Sequence, residues 1–154
     1  MQRAYNRLGQ LITEYQSHSG AVNINSTPKV QYAYTEMSGG ANHSRLTSMT
    51  YPDCYVVNYN YSSGLNDTIS RLSSLSDTSG TLESYSYLGL GTVVIRSHPQ
   101  PGVDLTYVKQ SSESNGDAGD QYTGLDHFGR VVDQRWLKTS SGTATDRFQN
   151  NWCR

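Results

Sequence analysis

The chain has 154 residues, enough for one domain of ordinary size; 34% are hydrophobic and the mean hydropathy is -0.65. A formal net charge of -1 supplies no field to steer a polyanion, which argues against nucleic-acid partners, and no run approaches the ~20 apolar residues of a membrane-spanning helix. Tyrosine, at 12 residues against 2 Phe and 2 Trp, is the main large packing side chain; the core it implies is thin and amphipathic, and this aromatic content argues against disorder.

The first segment, Met1-Gln2-Arg3-Ala4-Tyr5, lacks the apolar centre of a signal peptide. After it, Leu8-Gly9-Gln10-Leu11 reads as a glycine turn entering a strand. Val30-Gln31-Tyr32-Ala33-Tyr34 then alternates with period two, which puts Tyr32 and Tyr34 on one face of a strand. The turn-formers Ser38-Gly39-Gly40-Ala41-Asn42 lead into Ser44-Arg45-Leu46-Thr47-Ser48, the start of a returning strand. The phrase recurs: Val57-Asn58-Tyr59-Asn60-Tyr61, the turn Ser62-Ser63-Gly64-Leu65-Asn66-Asp67, then Ser70-Arg71-Leu72-Ser73-Ser74. A third strand, Leu82-Glu83-Ser84-Tyr85-Ser86-Tyr87, precedes a degenerate return at Gly91-Thr92-Val93-Val94. The proline-punctuated turn His98-Pro99-Gln100-Pro101-Gly102 separates this from a weaker copy, Leu105-Thr106-Tyr107. Residues 110–121 form a polar loop insert, Thr123-Gly124-Leu125-Asp126-His127 a further turn, Phe128-Gly129-Arg130-Val131-Val132 a last returning segment, and residues 149–154 a divergent tail.

Each copy reads as a hairpin, and successive copies lie roughly twenty to forty residues apart, the range of one supersecondary unit per repeat. A lone hairpin cannot bury its tyrosine face in water, so neighbouring copies must stack edge to edge. The predicted fold is therefore all-β: tandem antiparallel hairpins in one domain over residues 1–154. A sheet of this kind leaves two unpaired edges, each a template for self-association.

Tyr5-Asn6-Arg7-Leu8-Gly9-Gln10-Leu11, Tyr51-Pro52-Asp53 followed by Val56-Val57-Asn58-Tyr59-Asn60-Tyr61, and Tyr122-Thr123-Gly124-Leu125-Asp126-His127-Phe128-Gly129-Arg130-Val131 resemble the YD repeats of bacterial Rhs proteins and their animal relatives, the teneurins. The resemblance runs from Tyr5 to about Phe148. It implies a piece of a larger, secreted or surface-exposed protein whose repeats spiral into a β-shell, enclosing a toxic domain in polymorphic-toxin members and serving adhesion in teneurin-like ones. Most copies here lack the Asp that follows the second Tyr, and the Asp-Pro-x-Gly-Leu self-cleavage core is absent. Cys54 stands where the family turn has Gly: either φ is positive there, at a cost of about 1 kcal/mol, or the turn has changed type.

Candidate chemistry is sparse. His18, His43, His98 and His127 fall in turn-like segments, outside any Gly-x-Ser-x-Gly elbow or paired-histidine spacing, which leaves an unrecognised hydrolase as a remote reading. Asn115, Asp117 and Asp120 alternate with glycines as calcium-loop oxygens do, without the terminal Glu of that loop, so the expectation is no cofactor, with calcium as the one alternative. Asp126 and Arg130 are spaced to pair across their turn. Cys54 and Cys153 could form an intermolecular disulfide in an extracellular setting. The triplets beginning at Asn25, Asn42, Asn60 and Asn66 match the glycosylation pattern and are read as chance. The tyrosine rows Tyr32/Tyr34, Tyr59/Tyr61 and Tyr85/Tyr87, with Tyr107, carry the most weight. Their first role is sheet packing, since cross-strand aromatic pairs add about 0.2 to 1 kcal/mol each, and their second is stacking on sugar rings. The function expected is a non-catalytic scaffold or shell segment, with a carbohydrate-binding or adhesion module as the main alternative and an extracellular filament subunit as a further one.

Overall fold

The computed structural model describes residues 1–35, 44–111, 113 and 121–151. Among them are eleven strands and one four-residue helical turn, so the chain is all-β, and it divides into two compact units, Met1–Gly80 and Thr81–Arg154. The first unit contains β1 Gln2–Tyr5, β2 Leu11–Tyr15, β3 Lys29–Tyr34, β4 Leu46–Thr50, β5 Val56–Asn60 and β6 Ser74–Asp77, paired antiparallel in sequence order. The second contains β7 Gly80–Leu88, β8 Thr92–His98, β9 Val103–Thr106, β10 Asp133–Lys138 and β11 Thr143–Gln149, again an antiparallel meander.

Register decides what each face carries, because side chains alternate along a strand. In the first unit Glu14 lies opposite Val30, Tyr32 opposite Met49, Met49 opposite Val57 and Tyr59 opposite Leu75, which assembles one aromatic and aliphatic face. Its reverse carries Gln31, Ala33, Ser48, Thr50, Asn58 and Ser76, small and polar. In the second unit Tyr85, Arg96, Leu105 and Trp136 fall in one cross-strand row. Apolar burial is small: among the described residues only Val57 and Val94 are buried hydrophobics, at 9% and 2% exposure. Each is worth about 1.5–3 kcal/mol, so ladders, ring packing and side-chain hydrogen bonds must supply much of the rest.

One irregularity recurs along the chain. Pairing shifts by one residue beside Tyr5, Tyr34 and Tyr87, the last tyrosines of β1, β3 and β7. Such bulges raise local twist at the point where each strand enters its turn.

Two turns share one construction. In Asn6-Arg7-Leu8-Gly9-Gln10, the Asn6 side-chain oxygen accepts the amides of Leu8 and Gln10 at 2.9 Å each, Gly9 N–H donates to the Asn6 carbonyl at 3.0 Å, and Asn6 N–H donates to Gln10 at 2.9 Å. Asp126-His127-Phe128-Gly129-Arg130 repeats every one of these bonds at 2.9–3.0 Å. Gly9 and Gly129 take φ of 77° and 74°, where a side chain would be strained. Tyr51-Pro52-Asp53-Cys54-Tyr55 keeps the backbone half of the motif, with Cys54 N–H donating to Tyr51 at 3.0 Å and Tyr51 N–H to Tyr55 at 2.8 Å. Cys54 sits at φ 68°, so the turn has kept its type and carries the strain of a β-carbon.

Four sequence expectations are corrected. Ser62-Ser63-Gly64-Leu65-Asn66-Asp67 is not a plain turn: it contains a helical turn, α1, Leu65–Thr68. Asn66 fixes it, since its amide reaches the hydroxyls of Ser62 and Ser73 at 2.9 and 3.1 Å and its carbonyl accepts Arg71 Nε. Phe128-Gly129-Arg130-Val131-Val132 is not a strand but a tight turn with an isolated bridge, Leu125 to Val131, and the strand that follows is β10. His98 is not a turn residue either: it ends β8 and its ring lies 5.8 Å from that of Trp136. Gln149, placed at the head of the divergent tail, completes β11, and Asn150 N–H still donates to Val132 at 2.9 Å.

Candidate functional site

Tyr32, Tyr34, Tyr59, Tyr85 and Tyr87 are half-buried along β3, β5 and β7, and Tyr61, also half-buried, lies one residue beyond β5. Tyr107 lies one residue beyond β9, its N–H donating to Val94 at 2.9 Å. What alternation did not reveal is where the hydroxyls go. Tyr34 Oη donates to the Leu11 carbonyl at 3.0 Å, and Tyr61 Oη donates to the Leu46 carbonyl at 3.1 Å. Leu11 and Leu46 each open the strand preceding the tyrosine, β2 and β4, so Tyr34 and Tyr61 are tied to carbonyls in equivalent strand positions. A third hydroxyl, that of Tyr55, donates to Asp77 Oδ2 at 2.8 Å. That bond is the main reason the Tyr55 phenol titrates above its ordinary range and Asp77 below its own.

Arg45, immediately before Leu46, lies over the Tyr61 ring with its guanidinium carbon 4.6 Å from the centroid. The same guanidinium donates to the Asp67 carbonyl at 3.0 Å and pairs with the Asp67 carboxylate, joining the strand to α1. Desolvation raises the Tyr32, Tyr59 and Tyr61 phenols, and it is the largest cause pushing Tyr85 up to about 12, followed by a hydrogen bond to Glu83. These groups stay protonated near neutrality and serve as donors.

The second unit contains a charged cluster that the sequence reading missed. Asp133 and Arg135, at 7% and 6% exposure, project from one face of β10, and Arg147 lies opposite Arg135 on β11. Arg147 donates to Asp133 through Nε at 2.9 Å and Nη2 at 2.7 Å; Arg135 binds Asp133 through Nε at 3.0 Å and, more closely, through Nη2. Glu113, from the polar insert, completes the group with Oε1 2.7 Å from Arg135 and 3.6 Å from Arg147. Two carboxylates thus meet two guanidiniums. Desolvation pushes Asp133 and Glu113 upward, yet the hydrogen bonds from the arginines, with their charge, hold both below their ordinary values. The i, i+2 spacing of Asp133 and Arg135 was the available signal; Glu113 lies too far away in the chain to be read in.

The remaining candidates stand apart. Cys54 is an exposed thiol, whereas Cys153, His43, Asn42, Asn115, Asp117 and Asp120 lie outside the described residues. Asp126 and Arg130 do pair, Nε to Oδ2 at 2.6 Å. His18 and His127 are exposed. Asn60 and Asn66 use their amides on serine hydroxyls within the fold, leaving Asn25 as the exposed asparagine of the described triplets. No group of three His, Cys, Asp or Glu that could hold a metal comes together among the described residues. An open groove of ≈ 550 Å³ lies in the first unit, lined by Tyr5, Asn6, Leu8, Gln10, Tyr32 and Tyr34 among others.

No family model matches the sequence, and no curated protein is similar to it.

Proposed function

We propose that the chain is a non-catalytic wall segment of the YD-repeat type, part of a secreted or surface protein, whose tyrosines serve as struts between strands. The observation that carries this reading is the pair of equivalent bonds from Tyr34 to Leu11 and from Tyr61 to Leu46. A phenol committed to a backbone carbonyl is turned away from ligand, and each bond adds about 1 kcal/mol to the sheet. The resemblance of the turn sequences to YD repeats, and the bonding shared by the Asn6 and Asp126 turns, support the same reading. The test is a glycan array with wild type and the Tyr59→Ala and Tyr61→Ala variants: no binding by wild type, and loss of stability alone in the variants, supports the wall.

One observation favours adhesion instead. The groove bounded by Tyr5, Tyr32 and Tyr34 is within the size range of small-ligand sites and offers aromatic rings suited to stacking on sugar ring faces. Saturable glycan binding abolished by Tyr32→Ala, with the fold intact, would establish adhesion and displace the wall.

A further inference from the structure

Among the described residues of its own unit, β1 pairs only with β2, and β11 pairs only with β10. Their outer edges therefore carry free backbone donors and acceptors, and neither strand contains the Pro or Lys that commonly blocks edge pairing. All seven residues of β11 are exposed. Thr145 is the extra residue of a bulge, since Trp136 pairs with Asp146 but Leu137 with Ala144. The regular stretch of β11 accordingly starts at Asp146, and residues 146–149 match the length of β1.

The side chains along these edges are complementary. On β1, Arg3 lies opposite Glu14 and so shares the tyrosine face with Val30, and Tyr5 follows on the same face at 55% exposure. On β11, Asp146 lies opposite Trp136 in the aromatic row of the second unit, and Phe148 follows at 60% exposure. The Asp146 carboxylate accepts only the Arg147 amide, at 2.8 Å, and has no cation within ion-pair distance among the described residues. Each half of the match has a precedent within the chain: Tyr55 donates to Asp77, and Arg130 lies 5.2 Å from the Phe128 centroid.

We propose that the outer edge of β1 adds antiparallel to the outer edge of β11 of a second copy, with Arg3 opposite Phe148 and Tyr5 opposite Asp146. This register puts Ala4 opposite Arg147, keeps both aromatic faces on one side, and brings Arg3 diagonally within reach of Asp146. Because the two edges differ, the contact is head to tail, and in its open form a free β1 and a free β11 remain at the ends, so copies add in series. The inference rests on the wall reading and names its partner as another copy of the same chain.

Sedimentation velocity across a concentration series tests it, using the 154-residue chain. Wild type is expected to grow past dimer with concentration, and Arg3→Glu and Asp146→Arg are each expected to weaken growth by about tenfold or more. Mixing the two variants is the decisive arm. The carboxylate introduced on β1 of one variant then meets the guanidinium introduced on β11 of the other, while the unchanged Arg3 meets the unchanged Asp146, and growth should return as an alternating series. Restored growth on mixing supports the pairing even if Arg3→Glu, through Glu14, loosens its own hairpin. A wild type that stays monomeric or stops at closed dimers, or variants that assemble as wild type does, would overturn it. A monomer with no glycan binding removes the head-to-tail contact and leaves the wall reading intact, whereas glycan binding lost with the groove tyrosines removes the wall reading at any mass.

Discussion

Replacing Asp133 by Asn is the perturbation with the clearest energetic consequence. Asp133 accepts hydrogen bonds from both Arg135 and Arg147, and Arg135 is almost fully covered. Removing one partner of a buried pair costs about 3–5 kcal/mol, because the remaining charge is left without compensation. Glu113 stays 2.7 Å from Arg135, so the loss falls at the lower end, about 3 kcal/mol. Urea unfolding followed by Trp136 fluorescence, in a Trp152→Phe background, reads the second unit directly. Asp133→Asn/Arg135→Met should recover most of the loss, since apolar replacement of the second member removes the orphaned charge. The sign with pH is fixed as well: the folded pKa values of Asp133 and Glu113 lie below their ordinary values of 3.8 and 4.5. The stabilisation is thus complete above those values and disappears as pH falls through the lower folded ones, beneath about pH 4. A single-variant loss under about 1 kcal/mol, or an acid transition unchanged by Asp133→Asn, would refute the reasoning.

Three further outcomes follow from the geometry. Cys54→Gly should raise the stability of the first unit by about 0.5–1 kcal/mol, relief of the strain at φ 68° outweighing the entropy glycine adds to the unfolded chain; a lower thermal midpoint would contradict it. Gly124→Ala should destabilise the second unit by about 3 kcal/mol or more, because a β-carbon there would press into the Asp133 carbonyl oxygen and stand 2.7 Å from Tyr107 Cα; chemical denaturation measures it. Tyr61→Phe should cost about 1 kcal/mol through the orphaned Leu46 carbonyl, and hydrogen exchange should quicken at the β4–β5 ladder while β10–β11 is unaffected.

Strands rich in alternating tyrosine were legible because their period and their glycine-bearing turns are local properties, as β3, β5 and β7 show. β10 and β11 were not read as strands, since Trp136 and Phe148 stand alone where the pattern sought paired tyrosines. The helical turn at Leu65–Thr68 escaped for another reason: four residues are too few for a helical period, and side-chain bonds from Asn66 fix it. In the charged cluster only the Asp133–Arg135 contact is local; Glu113 and Arg147 join it from far along the chain, and no local pattern announces that meeting. Conversely, Cys54 drew notice only through the resemblance to a family turn in which glycine stands, and its φ is positive, the first of the two alternatives posed.

Within each unit every strand clasps its immediate predecessor in the polypeptide, and every pair except β9–β10, whose connection carries the polar insert, closes over a short excursion of chain. Loop-closure entropy is then small for a sheet protein, and acquisition of structure should be quick, advancing from one hairpin to the next. A nascent chain leaving the ribosome could lay down such a fabric progressively, without waiting for its C-terminal half.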